Sequence, residues 1–407
     1  MIPGHTRSTR KPLLLALGVM LLSCGIAFAQ IVPALSVRGK TGQSAMQVPG
    51  SYLEQTGAEP RFARFNKLPS VLTDDLKATA GMPGVSALLR TIPFFSGAFT
   101  FKSTPYPYFM VGNDPLRGGE TRINTVAIPL NFFFEEWLDD AGNNISINIQ
   151  PVLRKMLNSP DFVKSAYSTG IGQFGDAVQR AEFFNVMKDN WHTTLNAPRR
   201  LAPVTIVVPF GQSHVFQLPD GTLLATLDGD FLNSQLNTLL QAEGSKPTEF
   251  PLFLSNNVFL YFGDAANCCV LGFHTAFDAS IPGHPAIQTF AWASWVSEGI
   301  FSSYSDVTPL SHEISEWRND PFVSNIAPAW QFPNGRGCAG NLSTGDPIEV
   351  LANSTVPVTL HGFTYHPQTE ALLQWFTRED PSGAFKGAYS YPDTGVLTGA
   401  ARDCSAD

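Results

Sequence analysis

One stretch carries most of the information in this chain: Thr308-Pro309-Leu310-Ser311-His312-Glu313-Ile314-Ser315-Glu316-Trp317-Arg318-Asn319-Asp320-Pro321. Thr308 suits the amino-terminal cap of a helix, Pro309 suits its first turn, and Pro321 stops it. At 3.6 residues per turn the stretch divides into an apolar stripe and an ionisable arc. The stripe is Leu310, Ile314 and Trp317, and the arc is His312, Glu313, Glu316 and Asp320. We therefore expect a short helix that packs against the core with one face and carries ionisable, potentially functional side chains on the other.

The order His312-Glu313-x-x-Glu316 resembles the active-site helix of zincin metallopeptidases. In that helix His-Glu-x-x-His supplies two metal ligands one turn apart and a glutamate base between them. Here a carboxylate stands at the second ligand position, which makes the site more anionic. The resemblance implies His312 and Glu316 as metal ligands, Glu313 as the catalytic base and Zn²⁺ as the cofactor. The alternative is a solvated helix face whose charges sit at i,i+4 spacing and hold no metal.

A metal bound by this helix needs a third protein ligand. Asp346, within Ser343-Thr344-Gly345-Asp346-Pro347, resembles the downstream Gly-Thr-x-Asp ligand of aspzincins with Thr and Gly in a different order, and it is favoured. His274, on a predicted strand, is a second option. Asp320 lies two turns from His312, so it suits orienting a ligand better than binding the ion. Each also has an ordinary interpretation, as a turn former, a hydrogen-bonded core histidine or a helix stop.

The first residues predict export. Basic residues precede an apolar run from Leu13 to Leu22, and Ala27-Phe28-Ala29 has the small-x-small form of a signal-peptidase site. We expect a signal peptide over residues 1–29 and a secreted or periplasmic protein. Leu21-Leu22-Ser23-Cys24 also resembles a lipoprotein cleavage box, so a lipidated Cys24 is the alternative.

Export makes the remaining cysteines informative, because their number is even and the compartment permits disulfides. They are Cys268, Cys269, Cys338 and Cys404. A bridge between the adjacent Cys268 and Cys269 would be strained, so we expect each to join one of the two distant cysteines, in either order. A cysteine-ligated zinc site is disfavoured because these residues lack the two-residue spacing that such sites use.

The charge and composition of the chain argue against two classes of partner and against a transmembrane span. The formal net charge of −8 argues against binding to nucleic acid or anionic lipid. With 43% hydrophobic and 15% charged residues, the chain can build a sizeable core. No stretch reaches the length of about 18 apolar residues that a membrane helix needs, so we expect no transmembrane span.

The pattern along the chain predicts an α+β protein with a β-rich amino-terminal region. We expect an extended lead-in at 30–69, a β-rich α+β domain at 70–245 and a zincin-like metal-binding domain at 246–407. In the first domain the predicted strands are Phe94 to Thr100, Tyr106 to Val111, Thr121 to Phe134 and Val204 to Phe210. The predicted helical segments are Gln150 to Asn158, Ala177 to Trp191, and an amphipathic stretch from Asp228 through Leu240.

The second domain starts with two predicted buried strands, Phe253 to Phe262 and Val270 to Phe277. A hydrophobic, aromatic-rich helix is predicted from Ala286 to Phe301, ahead of the metal helix. This order resembles the zincin core. The resemblance implies a mixed sheet whose edge strand can receive an extended peptide.

A second resemblance extends beyond the metal helix. The run from Ser311 to Glu316, followed by Asn319-Asp320-Pro321, Ala329-Trp330 and Gly345-Asp346, resembles plant exordium-like (phosphate-induced) secreted proteins. Those proteins have a Cys-Gly-x-His segment where this chain has Cys269 to His274, with different spacing. This resemblance implies a secreted zincin-like fold and no particular reaction.

The motif supports hydrolysis of a peptide or protein substrate. If the site is catalytic, a bound metal would acidify a water molecule, Glu313 would take its proton, and the hydroxide would attack a carbonyl. Tyr365 and His366 are candidates for stabilising the oxyanion. Trp375 and Phe376 fit either a substrate groove or the core of a short helix, and the core is favoured.

Two non-peptidase interpretations remain. One is a non-catalytic secreted protein that binds a cell surface or glycan and whose metal site is structural or vestigial. The other is a glycosidase, which is disfavoured because Glu313 and Glu316 share one helical turn and cannot flank a sugar ring from opposite faces.

Overall fold

The computed structural model describes residues 89–218, 220–301 and 303–404, with three short strands before them. Most of the predicted signal peptide (1–29), Cys24 and most of the predicted lead-in (30–69) lie outside the described residues. Across the described ranges, no helix is long and apolar enough to span a membrane.

Strands predominate over helices in the described residues. The strands are β1 (Met20–Leu21), β2 (Ile26–Ala27), β3 (Arg38–Gly39), β4 (Phe94–Phe101), β5 (Thr104–Val111), β6 (Glu120–Leu138), β7 (Asn144–Ile147), β8 (Ser165–Tyr167), β9 (Gly170–Gly172), β10 (His192–Leu195), β11 (Arg199–Arg200), β12 (Val204–Val208), β13 (Ser213–Gln217), β14 (Leu223–Asp228), β15 (Glu249–Asn256), β16 (Val258–Phe262), β17 (Asp264–Val270), β18 (Gly272–Asp278), β19 (Ile287–Trp295), β20 (Ile326–Gln331), β21 (Cys338–Asn341), β22 (Val358–Leu360), β23 (Phe363–Tyr365), β24 (Glu370–Ala371) and β25 (Ser390–Tyr391). The helices are α1 (Gln150–Leu157), α2 (Phe174–Glu182), α3 (Gly229–Ala242), α4 (Thr308–Asn319), α5 (Asp346–Glu349) and α6 (Leu373–Thr377), with a 3-10 turn at Phe385–Gly387.

The molecule is organised around a mixed sheet of nine strands, whose longest member is β6. β15 runs parallel to β6 with Leu252 opposite Ala127, and β19 runs parallel to β15 with Ala291 opposite Leu252. β18 is antiparallel to β19 and is the last described strand on this side of the sheet. β10, β11 and β12 also pair with β6 in parallel, and β3 and β7 pair with it antiparallel. A mixed sheet with an antiparallel edge is therefore part of the fold.

Helix α4 packs against β18 and β19 of this sheet. Leu310, Ile314 and Trp317 lie in one buried cluster with side chains of β15 and β19. The Trp317 ring stacks on Phe250 with 3.6 Å between centroids, and its indole N–H donates to the Thr289 hydroxyl at 3.0 Å. The predicted helix and its predicted core face are confirmed.

The helix predicted from Ala286 to Phe301 is wrong, because Ile287–Trp295 is the strand β19. All nine of its residues are buried, since β19 pairs with strands on both sides and is covered on both faces. A strand that is buried on both faces lacks the alternation of apolar and polar residues that marks a half-exposed strand, so its type cannot be read from residue spacing.

Three other predicted elements have different bounds. Asn257, with φ of 51°, divides the predicted strand Phe253 to Phe262 into β15 and β16. The predicted strand Val270 to Phe277 is divided at Leu271 between β17 and β18. Helix α2 ends at Glu182, well before Trp191, because the following segment bonds to another loop. Lys188 N–H donates to Pro115 O at 3.0 Å.

Strands from both sides of residue 245 share the nine-stranded sheet. β6, before the predicted domain boundary, pairs over six residues with β15, after it. The predicted division at residues 245–246 thus does not coincide with a break in the hydrogen bonding.

All four predicted disulfide cysteines are bridged, but the predicted pairing is wrong. The bridges are Cys268–Cys269, within β17, and Cys338–Cys404. The second pairing follows from the path of the carboxyl-terminal segment, because Cys404 N–H donates to Ala329 O at 3.2 Å beside β20. β20 pairs with β21, which begins at Cys338, so the two cysteines meet with Cα atoms 5.9 Å apart.

Candidate metal centre

Helix α4 is buried around its whole circumference. It starts at Thr308, with Val307 at the cap position that we expected for Thr308, and it ends at Asn319 ahead of Pro321. His312, Glu313 and Glu316 are only 4%, 1% and 1% exposed. The alternative of a solvated charged face is therefore wrong, since ionisable groups this deep need partners or a metal.

Two glycines let neighbouring segments approach the ionisable side of α4. A Cβ at Gly345 would lie 2.3–2.8 Å from atoms of the His312 ring. A Cβ at Gly272, the first residue of β18, would lie 2.7 Å from Glu313 Cγ. The backbone of the loop before α5 therefore contacts the His312 side chain, and the backbone at the start of β18 contacts the Glu313 side chain.

His312 is held in one orientation by a side-chain amide. Its Nδ1 lies 3.1 Å from Gln368 Oε1, and Gln368 Nε2 donates to Gly345 O at 2.7 Å, which fixes the orientation of the amide. Nδ1 is consequently the donor, and Nε2 faces carboxylates, with Glu316 Oε1 at 3.4 Å and Asp346 Oδ1 at 3.9 Å. This is the tautomer of a metal-binding histidine, in which the outer nitrogen is anchored and the inner one is presented to the ion.

Glu316 is the most strongly anchored carboxylate of the site. Its Oε1 accepts the backbone N–H groups of Gly345 at 3.1 Å and Asp346 at 3.3 Å. Burial would raise the pKa of Glu316, but His312, His274 and the Gly345 N–H together lower it to about 2. Glu316 is therefore ionised at any physiological pH and able to bind a cation.

Asp346 completes a group of three donors with His312 and Glu316. One donor atom from each residue lies within 4.8 Å of the others, which places the predicted third ligand beside the first two. Asp346 is the first residue of α5, and burial followed by the charges of Glu316 and Glu349 raises its pKa well above the usual range. Among the described residues, its Oδ1 is buried and accepts no hydrogen bond.

His274 forms a second group of three with Glu313 and Glu316. Its Nε2 lies 3.2 Å from Asp320 O, so this nitrogen carries the proton of the neutral ring. Its Nδ1 faces Glu313 Oε2 at 3.2 Å and Glu316 Oε2 at 3.7 Å. Burial lowers the pKa of His274, but Glu313 and Glu316 raise it above its usual value in sum. His274 was predicted as an optional third ligand of the ion bound by His312, and it is grouped instead with Glu313 and the other oxygen of Glu316.

Two further buried acids were missed by the sequence analysis. Glu349 follows Asp346 by one turn of α5, and Glu370 lies on β24. Burial raises the pKa of Glu349 to about 8 and that of Glu370 well above its usual range, and the charge of His312 lowers both. The Asp-x-x-Glu spacing is a signal for Glu349, while nothing in the sequence around Glu370 marks it.

The other candidate residues lie outside these groups. Asp320 contacts His274 through its backbone carbonyl, while its carboxylate accepts the N–H groups of Ser324 and Asn325. Tyr365 donates to Lys155 O, and His366 Nδ1 pairs with Asp306 Oδ2 at 2.7 Å. Neither of these two therefore presents its polar atom to the metal-binding groups.

Trp375 and Phe376, on α6, belong to the core. Both are buried in a cluster with Trp330, whose ring lies 5.2 Å from Trp375 and 5.8 Å from Phe376. The favoured interpretation of a short core helix is confirmed.

Five carboxyl groups and two imidazoles are thus buried and interact electrostatically with one another. They are Glu313, Glu316, Asp346, Glu349 and Glu370 with His274 and His312, and we refer to them as the acidic cluster. Nitrogen and oxygen donors of this kind suit zinc, manganese or iron. The arrangement can hold a divalent ion. A hydrogen bond to Gln368 fixes the tautomer of His312, and a hydrogen bond to Asp320 O fixes that of His274.

The chain matches no family model, no curated protein and no solved structure. The likeness to zincins and to exordium-like secreted proteins therefore rests on the motif residues alone.

Proposed function

We propose that this protein is a metal-dependent hydrolase that cleaves peptide or amide bonds, with zinc as its ion. The observation that carries the proposal is the state of His312, whose Nδ1 is bound by Gln368 while its Nε2 faces Glu316 and Asp346. Two donors of one tetrahedral zinc with bonds of about 2.1 Å lie roughly 3.4 Å apart, close to the separation of His312 Nε2 and Glu316 Oε1. A metal would take the place of the proton that the carboxylates otherwise hold on His312.

Glu313 is the proposed base. Its Oε1 lies 3.9 Å from His312 Nε2, on the side of the ion-binding group, and its Oε2 is held by His274. Glu313 would accept the proton of a water molecule acidified by the metal, and the hydroxide would attack the substrate carbonyl. Glu316 and Asp346 would act as ligands.

The substrate is proposed to be an extended peptide. β18 lies at one side of the nine-stranded sheet, and among the described strands it pairs with β19. β18 carries His274 and contacts α4, so a peptide that bound beside this strand would run past the acidic cluster. A leader of signal-peptide form and two bridges between cysteines support a site of action outside the cytoplasm.

Burial favours a second candidate, a non-catalytic protein with a structural metal. Every member of the acidic cluster is at most 8% exposed, whereas a catalytic centre must admit substrate and water. Binding to a cell surface or glycan would then be the task of another part of the molecule.

One experiment separates the two candidates. The zinc-loaded protein is incubated with a mixed peptide library, and new termini are identified by mass spectrometry, with the Glu313→Gln variant as control. Cleavage by the wild type alone supports the hydrolase. Zinc-bound protein that leaves the library intact, and whose melting temperature falls on chelation, supports the structural metal.

A further inference from the structure

We propose that the acidic cluster holds two divalent ions and that Glu316 bridges them. The first ion would be bound by His312, Glu316 and Asp346, and the second by His274, Glu313 and Glu316. This inference rests on the metal centre proposed above and extends it by a second site.

The two oxygens of Glu316 face two different histidines. Oε1 lies 3.4 Å from His312 Nε2, and Oε2 lies 3.7 Å from His274 Nδ1. A carboxylate that presents one oxygen to each of two imidazole nitrogens has the geometry of a bridge between two ions. Glu316 is also the one residue that both groups of potential ligands share.

His274 is anchored in the same manner as His312. A backbone carbonyl, Asp320 O, accepts from Nε2, so Nδ1 is the nitrogen turned toward Glu313 and Glu316. A buried imidazole nitrogen that faces two carboxylates must carry either a proton or a metal ion. The same pattern on two histidines, each nearest a different oxygen of Glu316, indicates two positions of one kind.

The number of buried acids also favours two ions. A single divalent ion compensates two of the five negative charges that the ionised cluster would carry, and two ions compensate four. Among the described residues, Asp346 Oδ1 and Glu349 Oε1 are buried and take part in no hydrogen bond, which leaves both able to bind a cation.

The second ion is compatible with the proposed base. Glu313 would bind it through Oε2, the oxygen that lies 3.2 Å from His274 Nδ1. Its Oε1, 3.9 Å from His312 Nε2, would still face the first ion. A carboxylate bound through one oxygen retains the other for accepting a proton.

The test is the metal stoichiometry of the wild type and of two variants, each of which removes one of the histidine nitrogens that face Glu316. The protein is stripped with a chelator, reloaded with zinc, freed of excess metal and analysed by plasma mass spectrometry. His274→Gln keeps a donor near the position of Nε2 and removes Nδ1, and His312→Asn keeps a donor near Nδ1 and removes Nε2. His366→Asn, which alters a histidine paired with Asp306, is the matched control.

We expect about two equivalents of zinc in the wild type and the control, and about one in either histidine variant. One equivalent in the wild type, unchanged by His274→Gln, would overturn the second site and leave the first intact. No bound zinc in the wild type would overturn the proposed centre as well. Two equivalents retained by a folded His274→Gln variant would place the second ion elsewhere and contradict the inference.

Reloading the wild type with manganese gives a test that needs no variant. Two Mn²⁺ ions bridged by one carboxylate couple magnetically, so the paramagnetic resonance spectrum should change from that of an isolated ion as the second equivalent is added. An isolated-ion spectrum whose intensity doubles at the second equivalent would contradict the bridge.

Discussion

The His312 ring and the Gln368 amide are joined by a hydrogen bond of 3.1 Å between Nδ1 and Oε1, and this bond decides which nitrogen of His312 faces the carboxylates. Gln368 is itself fixed by donating to Gly345 O at 2.7 Å. Partners behind a metal-binding histidine set its tautomer and orientation, and their loss weakens metal binding.

Gln368→Leu should lower zinc affinity about 10–100-fold, because Nδ1 of His312 would lose the acceptor that orients the ring. Competition against a chromophoric chelator measures the change. Gln288→Leu is the matched control, since Gln288 is also buried and hydrogen-bonded but to Glu249 O and Thr289 O, outside the acidic cluster. Equal zinc affinity in both variants would show that Gln368 does not orient a ligand.

Glu313→Gln should keep the ion at the His312 group and slow hydrolysis by roughly 100-fold or more, because an amide cannot accept the proton of the attacking water. The measurement is the rate of cleavage of a peptide identified from the library, alongside metal content. Full activity in the variant would remove Glu313 from the mechanism. If the variant bound no metal at all, Glu313 would be required as a ligand at both proposed ion positions.

Gly345→Ala should destabilise the protein by about 1–3 kcal/mol and weaken zinc binding, since the new methyl group would overlap the His312 ring. Gly340→Ala is the matched control, because the nearest atom to a Cβ there is 3.8 Å away. Urea denaturation gives the free energies of unfolding. If Gly345→Ala proves as stable as Gly340→Ala, the loop does not stand as close to His312 as described.

Stability should depend on pH through Glu182, whose Oε1 accepts from Asn319 Nδ2 and from Leu373 N, each at 3.1 Å. Burial raises its pKa from 4.5 to about 8. Between these values the folded state holds the proton and the unfolded state releases it, so the free energy of unfolding falls as the pH rises. The contribution is about 1.4 kcal/mol for each pKa unit, several kcal/mol across the window.

Glu182→Gln should remove the share of that fall that Glu182 contributes, because a glutamine is neutral at every pH, while the buried acids of the acidic cluster keep their own share. Urea denaturation at pH 5 and pH 8 with the disulfides intact measures it. Glu243→Gln, at an exposed position, is the matched control. A wild type and a Glu182→Gln variant that lose the same stability between the two pH values would contradict burial of an ionisable Glu182.

Elements with a clear period were predictable from the sequence. Helix α4 alternates apolar and ionisable residues every three to four positions and ends at a proline, and its bounds were predicted within a residue or two. β4, β5 and β6 were predicted because β-branched and aromatic residues lie between turn residues. β19 was not, because its burial on both faces leaves no period to read.

The acidic cluster was predictable only where its members are close in sequence or fit a motif. His312, Glu313 and Glu316 share a helix, and Asp346 was found through its resemblance to a ligand motif. The grouping of His274 with Glu313 depends on β18 lying beside α4, and Glu370 arrives on another strand. The cysteine pairing failed for the same reason, since it depends on the carboxyl terminus returning beside β20. Such long-range contacts depend on how strands and helices pack together, and the spacing of residues in the sequence does not predict that packing.

The most direct test of the metal centre is anomalous X-ray scattering at the zinc edge from crystals of the zinc-loaded protein. We expect a peak between His312 Nε2, Glu316 Oε1 and Asp346 Oδ1 that is absent at the same position in His312→Asn crystals. Zinc-saturated crystals with no anomalous density at these three atoms would contradict the account.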